Sequence, residues 1–115
     1  MRLKVPDRPF GWQTMWVLTL FDLPVDTRER RREYTQFRKH LLRDGFTMMQ
    51  YSVYQRHCAS HENAEVHIHR MGAVVPPHGE VRFLVITDHQ FEKVITIWGK
   101  KRQEPEKSPA QLEFF

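Results

Sequence analysis

Asp22 closes the run Trp16-Val-Leu-Thr-Leu-Phe-Asp22-Leu-Pro24, a carboxylate at the end of an apolar stretch. A charge there is costly to hold unless it sits at a mouth or an interface, or meets a cation. One or two carboxylates can hold Mg²⁺, which keeps several of its waters, so Asp22 is a candidate ligand for Mg²⁺ or Mn²⁺. A metal held there could lower the pKa of a bound water for attack on phosphorus. The competing reading makes Asp22 a turn cap that accepts backbone N–H groups beside Pro24. Neither this run nor the next contains a second acid, so a two-metal site is not visible. About two dozen residues on, Gly45-Phe-Thr-Met-Met-Gln-Tyr-Ser-Val-Tyr-Gln-Arg56 carries Gln50, Ser52 and Tyr54 at alternate positions. On one unbroken strand they share a face. Ser52 and Tyr54 could there orient water or phosphate near Asp22, or pair across a dimer seam. No base stands beside either, which argues against nucleophilic serine chemistry.

Between these motifs lies a basic segment. Seven of the eighteen Lys and Arg residues fall between Arg28 and Arg43. Guanidinium groups grip phosphates bidentately, so Arg28, Arg30, Arg31, Arg32, Arg38 and Lys39 are candidate nucleic-acid contacts, binding the backbone without base readout. The plain alternative is a solvated helix face partnered by Glu29, Glu33 and Asp44. His57, Cys58, His61, His67 and His69 raise a zinc site, with Cys58-x-x-His61 at a usable spacing. On a helix, however, His67 and His69 diverge by about 200°, and ordinary surface histidines fit better.

These side chains need elements to carry them. The first strand is expected over Met15 to Phe21, apolar at nearly every position and so covered on both faces or buried at an interface. A helix follows to Arg43, with Asp26 as its cap, Glu29 in the reciprocal position and Tyr34, Phe37, Leu41 and Leu42 as its apolar stripe. Gly45 is placed for a left-handed turn after it. A second strand is expected over Phe46 to Arg56, and a helix over His61 to Met71 behind Ser60. A third strand covers Glu80 to Thr87, and a fourth, short one Val94 to Trp98. Phe83 and Val85 on the third strand could stack bases, but the segment lacks an RNA-recognition signature and reads as core. The order suggests an α/β, α+β-type ferredoxin-like sandwich of the β-α-β-β-α-β kind.

At 115 residues with 40% hydrophobic composition the chain supports one folded domain. The expected division is an arm over 1–13, the domain over 14–99, and a linker with an edge strand over 100–115. A formal charge of +4 permits an anionic partner. The single Cys58 excludes an intrachain disulfide and fits a reducing compartment. No apolar run approaches the roughly 20 residues that span a bilayer, so no membrane partner and a cytoplasmic location are expected. The last residues, Leu112-Glu-Phe-Phe115, are apolar again, suited to add to a sheet edge, the chain's own or a partner's.

Phe-Asp-Leu-Pro at a strand end, Asp-Thr-x-x-x-Arg, Asp-Gly-Phe leading into Gln-Tyr-Ser-Val-Tyr, and Val-Arg-Phe-Leu-Val-Ile-Thr-Asp together resemble the second core CRISPR-associated (Cas-two) family. The resemblance spans Met15 to Gly99, and its type II members look closest. It implies a homodimer with sheets packed together and a C-terminal strand exchanged to the partner, so that Tyr54, Leu112, Phe114 and Phe115 are expected at the interface. It also implies a role in CRISPR adaptation, binding duplex DNA and bridging dimers of the CRISPR integrase during spacer acquisition. A Mg²⁺-dependent endonuclease activity on RNA or DNA is implied as well, with Asp22 as metal ligand and catalytic residue and Ser52 beside it. Two features depart from the family: the longer N-terminal arm, and Met48 or Met49 where some members carry an arginine. The alternatives are a DNA-binding scaffold without catalysis and a stand-alone toxin-like ribonuclease of the same fold.

Overall fold

The computed structural model describes residues 14–99. The expected arm, the C-terminal edge strand and its residues Leu112, Phe114 and Phe115 lie outside the described residues. The elements run β1 (Met15–Asp22), α1 (Arg28–Arg43), β2 (Thr47–Gln50), β3 (Val53–Cys58), α2 (His61–Gly72), β4 (Glu80–Thr87) and α3 (Asp88–Phe91). The strands form one sheet in the order β2-β3-β1-β4, every neighbour antiparallel. Order and pairing are those of the ferredoxin-like fold.

Side-chain alternation along β1 divides the sheet into two faces. Met15, Val17, Thr19 and Phe21 are buried, while Trp16, Leu18, Leu20 and Asp22 are not. The buried set meets the helices. Phe21 touches Phe37 of α1 edge-on at 5.3 Å between ring centroids, and Tyr54 of β3 lies 5.6 Å away. Leu41, Phe46, Cys58, Ala64 and Met71 complete the core. Neither α1 nor α2 lies on the opposite face; the short α3 packs against its Trp16 end, and further along Leu20 and Leu84 stand 38% and 50% exposed.

Three local expectations are corrected. The segment Phe46 to Arg56 is not one strand but a hairpin: Gln50 pairs with Val53, and the chain turns at Tyr51 and Ser52 with Ser52 at φ 63°. Folding back lets β2 pair along β3 and leaves β3 free to pair with β1. The turn has no glycine to announce it. Its reversal also separates Tyr54 from Gln50 and Ser52, and Tyr54 is 1% exposed on the helix side. Within one protomer Tyr54 thus belongs to the core. Helix α1 is capped by Thr27, whose hydroxyl accepts from the Arg30 N–H, while Asp26 takes the Arg30 guanidinium instead. The expected strand over Val94 to Trp98 is absent from the described residues. Thr87 and Gln90 form a reciprocal capping box that starts α3 immediately after β4, and its Phe91 stacks on Trp16 at 3.9 Å.

Candidate functional site

Asp22 is the last residue of β1, and its side chain falls on the face of the sheet opposite α1 and α2. No hydrogen bond or ion pair from the described residues engages its carboxylate, so it does not cap the turn at Pro24. The helix start that follows has its own cap in Thr27. Asp22 and Ser52, far apart in sequence, line one open cleft together with Leu20, Phe21, Val53, Glu80 and Arg82. The Ser52 carbonyl accepts from the Phe21 N–H at 3.0 Å, which ties the hairpin turn to the end of β1.

Glu80 and Arg82 complete this cleft, and neither was singled out from the sequence. The β1–β4 register sets Asp22 opposite Glu80 and Leu20 opposite Arg82. Directly opposed residues in an antiparallel pair project to the same face. The second carboxylate missing from both motifs therefore arrives from β4. Arg82 donates from Nε and Nη2 to one Glu80 oxygen at 3.0 and 2.7 Å. Their alternation on the strand was legible; their pairing with Asp22 was not. The oxygen donors here, one carboxylate without a partner among the described residues and a second across the ladder with one oxygen held by Arg82, are of the kind that suits a hard divalent cation such as Mg²⁺.

The basic segment lies on the other layer. Arg30 is held by Asp26 at 3.1 Å, and Arg31 donates to the Val25 carbonyl at 3.1 Å. Arg28, Arg32 and Lys39 are exposed and fall within about 40° of arc on α1. Arg38 leans toward the buried side and is half-buried. The six residues thus divide: three form an exposed ridge, and the others are drawn into contacts or toward the protein.

The histidines do not gather. Among the described residues no group of three or more His, Cys, Asp or Glu could hold a metal. His61 faces Glu65 on its own helix, and His57 faces Asp88 at 3.8 Å. Burial pushes the Cys58 thiol above its ordinary range, with Arg56 pulling the other way, which disfavours a thiolate ligand. His67 instead meets Asp44 at 2.7 Å, deep between α1 and α2. Burial pushes the Asp44 carboxyl upward, but hydrogen bonds from His67 and Arg70 outweigh it and hold it below the usual carboxylate value. Arg56 Nε donates to the Asp44 carbonyl at 2.7 Å. This is a packing lock for the helix ends, remote in the fold from the Asp22 cleft.

Residues 15–94 match the family described as CRISPR associated protein Cas2. The chain is 65% identical over 101 residues to a "CRISPR-associated endoribonuclease Cas2" of Parvibaculum lavamentivorans, covering 88% of this chain and 100% of that protein. A protein of the same description from Flavobacterium psychrophilum is 47% identical over 104 residues, covering 90% of each. Among solved structures, Streptococcus pyogenes Cas2 superposes with a TM-score of 0.57 at 19% identity, over 72% of this chain and 99% of that one.

Proposed function

The chain belongs to the CRISPR-associated Cas2 family, and on that premise we propose that it is a homodimeric, divalent-metal-dependent endonuclease that cuts single-stranded RNA at Asp22. Two relatives bear the name endoribonuclease, which favours RNA as the substrate. The observation that carries the reading is the Asp22 carboxylate: exposed at the end of a buried strand, capping nothing among the described residues, and facing an open cleft. Asp22 would hold Mg²⁺ or Mn²⁺, with Glu80 as the carboxylate across the ladder. When bound, the metal supplies Lewis acidity and an acidified water for phosphodiester hydrolysis. The protein's own residues bind and orient. Ser52 reaches the cleft from the hairpin turn, where its hydroxyl can hydrogen-bond a water or a phosphate oxygen. Arg28, Arg32 and Lys39 would hold the strand's backbone electrostatically on the far layer.

The same exposed ridge, set apart from the cleft, favours a second role. The dimer would also bind duplex DNA and bridge integrase dimers in spacer acquisition, with Leu112, Phe114 and Phe115 adding an edge strand to the partner. That role does not need Asp22.

The deciding experiment is cleavage of labelled single-stranded RNA and of double-stranded DNA, in Mg²⁺ or in EDTA, by wild type and Asp22→Asn purified in parallel. Removing the ligand should cost a hundredfold or more, on the order of what one essential catalytic group supplies. Equal Mg²⁺-dependent cleavage by both proteins would place the chemistry elsewhere. No cleavage by either would leave the scaffold role.

A further inference from the structure

We infer that Leu23 and Gly79 form a steric pin that holds Asp22 in place against β4, and that both are positioning residues for the Asp22 centre. The inference deepens the endonuclease reading and rests on it. Leu23 directly follows Asp22, and Gly79 directly precedes Glu80, the residue paired with Asp22 across the β1–β4 ladder. Carrying that register one step further sets Leu23 against Gly79. Alternation then turns the Leu23 side chain away from the cleft, and it is 7% exposed within the core.

Gly79 is there for space. Among the described glycines only Gly45 has a positive φ, so no left-handed backbone requires a glycine at 79. Gly72 and Gly99 have open space where a Cβ would stand. A Cβ on Gly79 would instead overlap Leu23 Cδ2, with Leu23 Cγ at 3.4 Å and the Pro76 carbonyl at 3.7 Å. Neither wall of this contact has much slack. Pro24 biases Leu23 toward extended backbone and fixes its own φ, and a packed core resists displacement of the isobutyl group. On the other side, Pro76 and Pro77 stiffen the turn that the Gly79 N–H closes on the Pro76 carbonyl at 3.2 Å. A push on Leu23 therefore passes to the backbone of Asp22, one residue away. Misplacing a reacting group by about 1 Å can cost a hundredfold in rate. Because the pin lies on the core side of the sheet, it works whether or not a second copy covers the opposite face.

Position and cleavage are read separately, in the full chain. Gly79→Ala should lower kcat on labelled single-stranded RNA in Mg²⁺ on the order of a hundredfold, with KM unchanged, since the α1 cations proposed to hold the RNA are untouched. Amide hydrogen exchange by NMR should quicken on the order of tenfold at Leu20 to Asp22 and stay as in wild type at Trp16 to Leu18. Leu23→Val removes the δ-carbons that collide with the new methyl while keeping a branched aliphatic group. Added to Gly79→Ala, it should restore at least about tenfold in kcat and return the exchange toward wild type. Wild-type kcat in Gly79→Ala overturns the pin, and so does a double variant no better than Gly79→Ala. Exchange quickened equally at both ends of β1 also overturns it, because that is a general loss of stability. Should Gly79→Ala fail to fold, the double variant decides alone: a folded, cleaving double supports the pin, and one that does not fold or does not cleave ends it. The two readings fail differently. Cleavage that survives Asp22→Asn removes the endonuclease centre but leaves the exchange difference standing, whereas normal exchange in Gly79→Ala beside an inactive Asp22→Asn removes the pin alone.

Discussion

Asp22 and Asp44 both end an element, and their surroundings give them different work. Asp22 lies open at the mouth of a cleft with no partner among the described residues, whereas Asp44 is 6% exposed in its side chain and held between His67 and Arg70. Partnering a buried carboxylate offsets its lost hydration, and removing one member leaves the others uncompensated. Asp44→Ala should thus lower stability by roughly 2–4 kcal/mol in urea unfolding, while Asp22→Ala should leave the midpoint nearly unchanged. The pH dependence follows from the direction of the Asp44 shift. Its carboxyl sits below the ordinary value of 3.8 in the folded state, so its contribution is fully present above about pH 4. That contribution fades as the pH falls below 3.8 toward the folded pKa. Asp44→Asn should flatten this acid limb, and an unaltered limb in thermal scans between pH 2 and pH 5 would assign the loss to other carboxylates. Sequence reading found Asp22 because a lone charge ends an apolar run. Asp44 reads in the sequence as a partner for the α1 arginines, since nothing local shows that His67 and Arg70 fold against it.

The hairpin shows how an element changes what its residues can do. Ser52 holds φ 63°, a region that costs a non-glycine residue about 1 kcal/mol. The strain persists because the Ser52 carbonyl is tied to Phe21 and the turn sets the β2–β3 register. Ser52→Gly should raise stability by roughly 0.5–1 kcal/mol while removing the hydroxyl from the cleft. Reduced RNA cleavage in this more stable variant would mean that the hydroxyl takes part. Full activity would make Ser52 a turn residue only. Gly45 is the contrasting case. It stands at φ 94°, and an added Cβ would come within 2.9 Å of Arg56 Nε. Its role after α1 was readable from Asp-Gly, whereas the turn at Ser52 was not, because serine carries no comparable signal for a left-handed backbone.

At the scale of the whole molecule, the two faces of the sheet differ in what covers them. Helices α1 and α2 lie on one side, and the other, with α3 at its Trp16 end, presents Leu20 and Leu84 beside the Asp22 cleft. Isolated apolar residues are common on surfaces, but a whole uncovered sheet face is a place for a partner. In the proposed dimer, Leu84→Asp should weaken association by on the order of a hundredfold or more, since each copy loses a buried leucine. Light scattering behind size exclusion would register a shift toward monomer, with circular dichroism unchanged; a persisting dimer would move the interface off this face. By itself, the sequence determined the elements whose signal is local: β1 from its apolar run, α2 from the Ser60 cap, β4 from its β-branched run, and the basic composition of α1. It also determined Asp22, because an unneutralised charge in an apolar context is conspicuous wherever the chain goes. Only the tertiary structure decided what stands opposite Asp22. Antiparallel pairing of β1 with β4 joins residues far apart in the chain, and a shift of one residue would turn Glu80 and Arg82 to the other face. Local periodicity carries which residues share a face of one strand; register between strands, fixed by the packing of the whole core, carries which of them meet.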